Sequence, residues 1–290
     1  MVWSSKTSAV TTDVPHLSYD AQALSRARVI AVLIPGALSR GDIFAPVQRW
    51  QEAGYGLATY RFPGLDSRPL SPALKIEKAA AEIADLASAH PDTPFRLLGF
   101  STGAPIALSA AHRMRNDVKV AGLSPAVERG GGTETALRTT RLILSAAWRV
   151  RSVRLRTVWL EYYRLLLFGM PVLSDQTLSI RAAQIINGRA DRIVFPEGGM
   201  PKAHMADLRR WRLPKDTAFE KGQIRFFHGL EDPVFSPQQV THFARRIGGV
   251  PVTGYADQGH LMFASHLPVF DDIFDFFEGR PPRKGGGIAL

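Results

Sequence analysis

The sequence predicts an α/β fold: a mostly parallel sheet with helices on both faces, and a helical segment inserted between two of its strands. Three observations predict it. Val29–Ile34 is a continuous apolar run, as expected of a strand buried on both faces, and it stops at Pro35-Gly36, a turn. Stretches with apolar residues at helical spacing alternate with short strand-like runs, which is the pattern of parallel strands joined by helices. Between about residues 136 and 213 the alternation ceases, and the chain reads as helical with no clear strand.

The elements follow in order. After the strand 29–34, residues 43–53 read as a helix with Asp42 at its N-cap. Residues 57–60 are a short strand, and Arg61-Phe-Pro-Gly-Leu-Asp-Ser67 has loop chemistry, with Pro and Gly as breakers. Apolar residues at 76, 79, 80, 83, 86 and 87 predict a helix that His90-Pro91 ends. Phe95–Phe100 is a strand; residues 104–115 are a helix with Pro105 in its first turn, where the missing N–H costs little; Val118–Leu123 is a strand. Beyond the helical stretch come a strand at 224–227, a helix at 237–247, a strand at 250–255 and a helix at 268–278. Gly130-Gly131-Gly132 is a flexible junction. The expected division is therefore an N-terminal segment 1–28, a core of 29–129 and 214–279, a helical cap or lid 130–213, and a tail 280–290 whose stretch Arg280–Gly287 is expected to be loose. Such a cap excludes water and selects substrate.

With 290 residues, 45% of them hydrophobic, the chain can bury one large core, and its composition is that of a globular protein. It has no cysteine, which excludes disulfides, thiol nucleophiles and cysteine metal sites and fits a reducing compartment; a cytoplasmic location is expected. The first residues lack a basic start followed by an apolar run, so no secretory signal is expected. No uninterrupted apolar stretch approaches the roughly 18 residues of a spanning helix. There is no phosphate loop, dinucleotide fingerprint or His-Glu-x-x-His pattern, so neither cofactor nor metal is expected. The net charge of +10 is not gathered in one lysine-rich block and is read as a basic, soluble surface. No nucleic-acid-binding module accompanies it, and no such partner is expected.

Chemistry enters at Gly99-Phe100-Ser101-Thr102-Gly103. A serine hydroxyl attacks poorly unless a base is held beside it, and a sharp strand–turn–helix corner exposes it to substrate. Gly-x-Ser-x-Gly supplies the small residues that such a corner needs, and here it lies between a predicted strand and a predicted helix. Ser101 is thus the candidate nucleophile. On such corners an acid and then a histidine follow in the chain. His260, in Tyr255-Ala-Asp-Gln-Gly-His260, comes just after the last predicted strand and is the candidate base; His266 is the rival. Asp232, in His228-Gly-Leu-Glu-Asp232-Pro233, comes just after the strand 224–227 and is the candidate orienting acid, ahead of Glu231 and Asp191; Asp257 is read as structural. An oxyanion hole needs two preorganised N–H donors. Thr102, at the start of a helix, offers one, and the loop after the first strand offers the other, Ala37 with Leu38 next.

These residues resemble the α/β-hydrolase superfamily. Pro35-Gly36 stands where the family often has His-Gly, Arg61–Ser67 is similar to its Asp-x-x-Gly-x-Gly-x-Ser loop with several departures, and His228-Gly-x-x-Asp232 and Gly259-His260 resemble its acid and histidine loops. The short stretch before residue 29 leaves little room for the family's first two strands. The expected function is a serine hydrolase that cleaves a carboxylic ester of a small-molecule acyl substrate through an acyl-enzyme on Ser101. The same triad serves thioesterases, amidases, carbon–carbon-bond hydrolases and acyltransferases, and the fold also carries non-catalytic ligand-binding proteins.

One further stretch stands out. Arg138, Arg141, Arg149, Arg151, Arg154, Arg156 and Arg164 face a single acid, Glu161, and interleave with Leu142, Ile143, Trp148, Val153, Val158 and Trp159. This pattern suits weak contact with an anionic membrane surface, but the commoner outcome, a solvated face with its apolar side packed on the core, is the expectation. Trp148, Trp159, Tyr162, Tyr163, Leu166, Phe168 and Met170 are candidates to line an acyl pocket.

Overall fold

A computed structural model describes residues 16–215, 217–281, 283 and 287–290. Its centre is an eight-stranded sheet in the order β1-β3-β2-β4-β5-β6-β7-β8. The six inner strands, β2 (Val29–Ile34), β3 (Tyr55–Tyr60), β4 (Phe95–Phe100), β5 (Val118–Leu123), β6 (Ile224–Gly229) and β7 (Val252–Tyr255), run parallel. Two short antiparallel strands, β1 (Leu17–Tyr19) on β3 and β8 (Ile288–Ala289) on β7, close the edges. Ile288–Ala289, the edge strand, follows the stretch 280–287 expected to be loose, of which residues 282 and 284–286 lie outside the described residues; among the described residues one strand of three residues precedes β2. Residues 1–15 of the N-terminal segment lie outside the described residues.

Alternation of side chains along the strands sorts the core into two layers. Ile30, Val32 and Ile34 point to the face covered by α1 (Ala21–Ser25), α2 (Ile76–Ser88), α3 (Gly103–Arg113) and α8 (Pro237–Arg246). Val29, Ala31 and Leu33 point to the other face, under a 3₁₀ helix (Gly41–Ala53), α9 (Met262–Ser265) and α10 (Val269–Phe277). Every residue of β2 and β4 is buried, as expected of strands covered on both sides. The inserted segment reaches both layers: Leu142, Ala146, Val158 and Tyr162 join the second, and Val194, Leu208, Trp211 and Leu213 the first.

The helix expected at 43–53 is a 3₁₀ helix. Pro46 stands inside it and has no N–H to give to an α-helical ladder. Asp42 is in its first turn, Arg40 holds the cap position, and no side chain caps it.

Between β5 and β6 the described chain is helical: α4 (Gly132–Val150), α5 (Leu155–Phe168), α6 (Gln176–Gly188) and α7 (Met200–Met205), with 3₁₀ turns at Glu128–Gly131 and Met170–Leu173. α4 and α5 form a hairpin through residues 151–154, with Arg149 Nε reaching Glu161 Oε1 across it at 3.0 Å. Arg151, in the left-handed region at φ 46°, turns the chain at its tip. Among the described residues no helix is long and apolar enough to cross a membrane.

Candidate active site

β4 ends directly in the corner that carries Ser101. Its φ of 49° is rare for a residue with a side chain and marks a sharp turn. The flanking glycines are required by space. A Cβ on Gly99 would stand 2.5 Å from the Gly103 carbonyl oxygen, and one on Gly103 would stand 2.1 Å from that of Ile34. A Cβ on Gly36 would meet Ser101 Cβ at 2.8 Å, so the loop after β2 presses on the corner itself. Hydrogen bonds from Ser101 N–H to the Leu123 carbonyl (3.0 Å) and from Ala126 N–H to the Ser101 carbonyl (3.1 Å) tie the corner to the end of β5.

The structure brings Ser101, His260 and Asp232 together. His260 Nε2 lies 2.9 Å from Ser101 Oγ, and His260 Nδ1 lies 2.7 Å from Asp232 Oδ2. All three side chains are buried, and Phe100 and Phe235 flank the imidazole with ring centroids at 5.3 and 5.9 Å. Asp232 Oδ1 accepts the N–H groups of Val234 (2.7 Å) and Phe235 (3.0 Å). Burial is the largest influence on this carboxyl and works to raise its pKa. The imidazoles of His260 and His228 and the Val234 N–H outweigh it, and Asp232 titrates below the ordinary carboxyl value. A carboxylate so held can fix the His260 tautomer with a proton on Nδ1, leaving Nε2 free to take one from Ser101 Oγ.

Neither the Ala37 nor the Thr102 N–H makes a hydrogen bond among the described residues. The Leu38 N–H, the second choice from sequence, is engaged: it donates to His204 Nδ1 at 3.0 Å. His204 comes from α7 and is fully buried; its Nε2 donates to the Pro63 carbonyl at 2.6 Å. This one side chain therefore brackets two loops, that after β2 and that after β3, and holds Leu38 in a left-handed conformation, φ 57°. Burial pushes the His204 pKa down, as a neutral ring accepting at Nδ1 requires. A lone histidine on a short helix gave no sign of this in the sequence.

The rival residues lie elsewhere. His266 packs its ring on Tyr255, with centroids 5.0 Å apart. Asp191 is exposed. Glu231 turns its backbone carbonyl toward Gly169. Asp257 is an exposed turn residue at φ 56°. His228, one helical turn's spacing before Asp232, is fully buried; its Nε2 donates to the Phe235 carbonyl (3.0 Å), and its Nδ1 stands 3.8 Å from Asp232, too far for a hydrogen bond.

Beside His260 opens a pocket of about 70 Å³, lined in part by Ala37, Phe100, Trp159, Tyr163, Leu166 and Phe263. Arg40, Arg189 and Arg192 share its wall with Asp42. Three of the aromatic and apolar candidates for an acyl pocket, Trp159, Tyr163 and Leu166, are thus at the site. Phe168 and Tyr162 are packed in the core, while Met170 and Trp148 are exposed. Among the described residues no group of three or more His, Asp or Glu side chains is placed to hold a metal.

Comparisons with known proteins agree with this architecture. The model of the thioesterase domain family matches residues 30–125, a stretch that holds Ala37, Ser101 and Thr102 but neither Asp232 nor His260. No curated protein matches the sequence. Among solved structures, the chain is similar to BpoC of Mycobacterium tuberculosis H37Rv, a candidate non-heme bromoperoxidase, with 19% identity and a TM-score of 0.68 over 92% of this chain and 97% of that one. It is similar to the enol-lactonase of Burkholderia xenovorans LB400, with 14% identity and a TM-score of 0.66 over 90% and 95% of the two chains. It also resembles the esterase EaEST of Exiguobacterium antarcticum, with 18% identity and a TM-score of 0.60 over 87% and 92%. At these identities what is shared is the fold, which hosts many reactions. Its strand order, its two helical layers and these matches show that the chain has the α/β-hydrolase fold.

Proposed function

We propose that the chain is a serine hydrolase that cleaves a carboxylic ester of a small acyl substrate. The observation that carries this reading is the relay from Ser101 Oγ through His260 to Asp232, with steps of 2.9 and 2.7 Å. In the first half-reaction His260 Nε2 takes the Ser101 proton as Oγ attacks the carbonyl carbon. The tetrahedral oxyanion is received by the N–H groups of Ala37 and Thr102, each such donor contributing about 3 kcal/mol to the transition state. Collapse breaks the bond to the alcohol, which leaves with the proton from His260, and Ser101 is acylated. In the second half-reaction His260 takes a proton from water, the water oxygen attacks the acyl carbon, and the acid leaves as Oγ is reprotonated. Asp232 keeps its negative charge throughout and steadies the imidazolium.

Residues 130–213 act in this reading as a cap that sets the acyl or alcohol group through Trp159, Tyr163 and Leu166. A pocket of about 70 Å³ admits a short acyl group, since typical ligand pockets run to several hundred Å³. A cytoplasmic location, suggested by the absence of cysteine, belongs to the same proposal. One second reading has a specific observation behind it: the match of residues 30–125 to a thioesterase family favours a thioester, with a thiol as the leaving group.

Labelling with a fluorophosphonate, beside a panel of esters and thioesters graded in acyl length, tests both readings. Labelling of the wild type but not of Ser101→Ala is expected, with turnover falling as the acyl chain lengthens. Equal labelling of the two proteins would overturn the mechanism. Faster turnover of thioesters than of matched oxygen esters would select the second reading.

A further inference from the structure

The α4–α5 hairpin departs from the sequence expectation of a solvated outer face over a packed apolar underside. α4 has two apolar stripes. Thr135, Leu142 and Ala146, spaced by seven and four, are buried against the core. Leu137, Leu144 and Trp148, also spaced by seven and four, lie on the opposite side of the same helix and are exposed. Large apolar side chains are exposed at the tip as well: Trp148 is 85% exposed, Val153 98% and Leu155 51%. Exposed apolar surface of this kind commonly marks an interaction site.

Charge says what covers it. From residue 135 to residue 160 the sequence contains six arginines and no Asp or Glu. Arg138 pairs with Glu134, Arg149 pairs with Glu161, and Arg156 lies over the Phe195 ring. Arg141, Arg151 and Arg154 are exposed and make no ion pair among the described residues. They sit within and beside the apolar stripe: Arg141 is one turn from Leu144, and Arg151 and Arg154 flank Val153. Bare aromatic and aliphatic side chains rimmed by unpaired arginines match a surface that is apolar beneath and negatively charged above. That is the interface of an anionic phospholipid bilayer, where an indole ring and guanidinium groups both find their preferred depth. We propose that the α4–α5 tip docks the protein on anionic membranes, with Trp148 and Val153 entering the headgroup region and Arg141, Arg151 and Arg154 meeting lipid phosphates.

Vesicle sedimentation of the full chain tests this, using phosphatidylcholine alone against phosphatidylcholine with about one-third phosphatidylserine. At low salt the protein is expected to sediment with the anionic vesicles and to stay in solution with the neutral ones. Near 0.5 M salt, where screening acts within about one contact distance, most of the binding is expected to disappear. Val153→Ser with Trp148→Ser, and separately Arg151→Gln with Arg154→Gln, are each expected to weaken binding about tenfold or more, with hydrolysis of a soluble ester and the melting temperature unchanged. The proposal is overturned by equal binding to both vesicle types, by wild-type binding in either variant, or by failure to bind accompanied by self-association that the same substitutions abolish. The last result would make this face a contact between copies of the chain.

Discussion

The two ends of the α4–α5 hairpin differ sharply in what they touch. At its base the last turn of α5 is bonded to the loop that carries His260. The Gly259 N–H donates to the Leu167 carbonyl (2.8 Å) and the Leu261 N–H to the Leu166 carbonyl (3.0 Å), so α5 holds the loop of His260 from both sides of that residue. The contact is too close for side chains: a Cβ on Gly259 would stand 2.5 Å from the Leu166 carbonyl oxygen, and one on Gly169 would stand 2.3 Å from that of Glu231. At its tip, Trp148 and Val153 touch little of the protein. The difference separates two duties within one segment. The base holds the loop of His260, the proton acceptor of the proposed reaction, and the tip is free to meet a partner without disturbing it.

The largest effects are expected where the base meets the triad. Ser101→Ala should lower kcat by about 10⁶-fold, and Asp232→Asn by about 10⁴-fold with the fold intact, both read in a continuous ester assay. Near-normal turnover in Asp232→Asn, with loss in Glu231→Gln or Asp191→Asn, would move the acid to another residue. Gly259→Ala, which drives a methyl group into the α5 carbonyl, should cost about 10²-fold in kcat through a misplaced imidazole, with KM little changed. Gly188→Ala, at a position where a Cβ meets nothing within 4 Å, is the control in the same inserted segment and should leave kcat alone and raise stability by up to about 1 kcal/mol. Equal damage from the two glycine changes would erase the contrast between base and remainder.

A smaller loss is expected at the bracket of α7. His204→Ala frees the Leu38 N–H and the loop that presents Ala37, and should lower kcat about tenfold more than it raises KM. His204→Gln, which keeps an acceptor and a donor, should restore much of it. His204 and His228 both have pKa values pushed down by burial, so the unfolded chain binds more protons near neutrality than the folded one. Stability should therefore fall as pH drops below the unfolded value of about 6.5, visible as a lower denaturation midpoint at pH 5 than at pH 8. Asp232, whose pKa is depressed, adds stability above its unfolded value that is lost only in stronger acid. The smallest effect belongs to the tip: Trp148→Ser should shift stability by under about 0.5 kcal/mol.

The sequence carried the fold and the chemical corner well because both rest on local constraints. β4 and β5 have the bounds read from the sequence, since a buried parallel strand is a compact apolar run with hard stops. The corner at Ser101 was legible because the glycines around it have a steric reason visible in five residues, and the meeting of Asp232 and His260 beside it because each follows a strand that ends at the same edge of a parallel sheet. What escaped depends on contacts distant in the chain. His204 reaches Leu38 and Pro63 from a helix with no periodic signature, and Gly259 meets the end of α5. Periodicity cannot say which of two apolar stripes on α4 faces inward, so Trp148 was read as a packing or pocket residue and lies outside. Pro46 was visible in the sequence, but its effect on the helix type of Gly41–Ala53 was not drawn from it.

The close approach of Gly259 to α5 also bears on how such a segment can be exchanged or lengthened. Excising residues 130–213 as a unit, or transplanting a foreign segment at those joints, removes the carbonyls of Leu166 and Leu167 that seat the histidine loop, and His260 would lose its place beside Ser101 with them. The turn at residues 151–154 offers the opposite prospect. It is exposed and far in sequence from those carbonyls, so chain inserted there lengthens the protein's reach while the reacting atoms stay where they are.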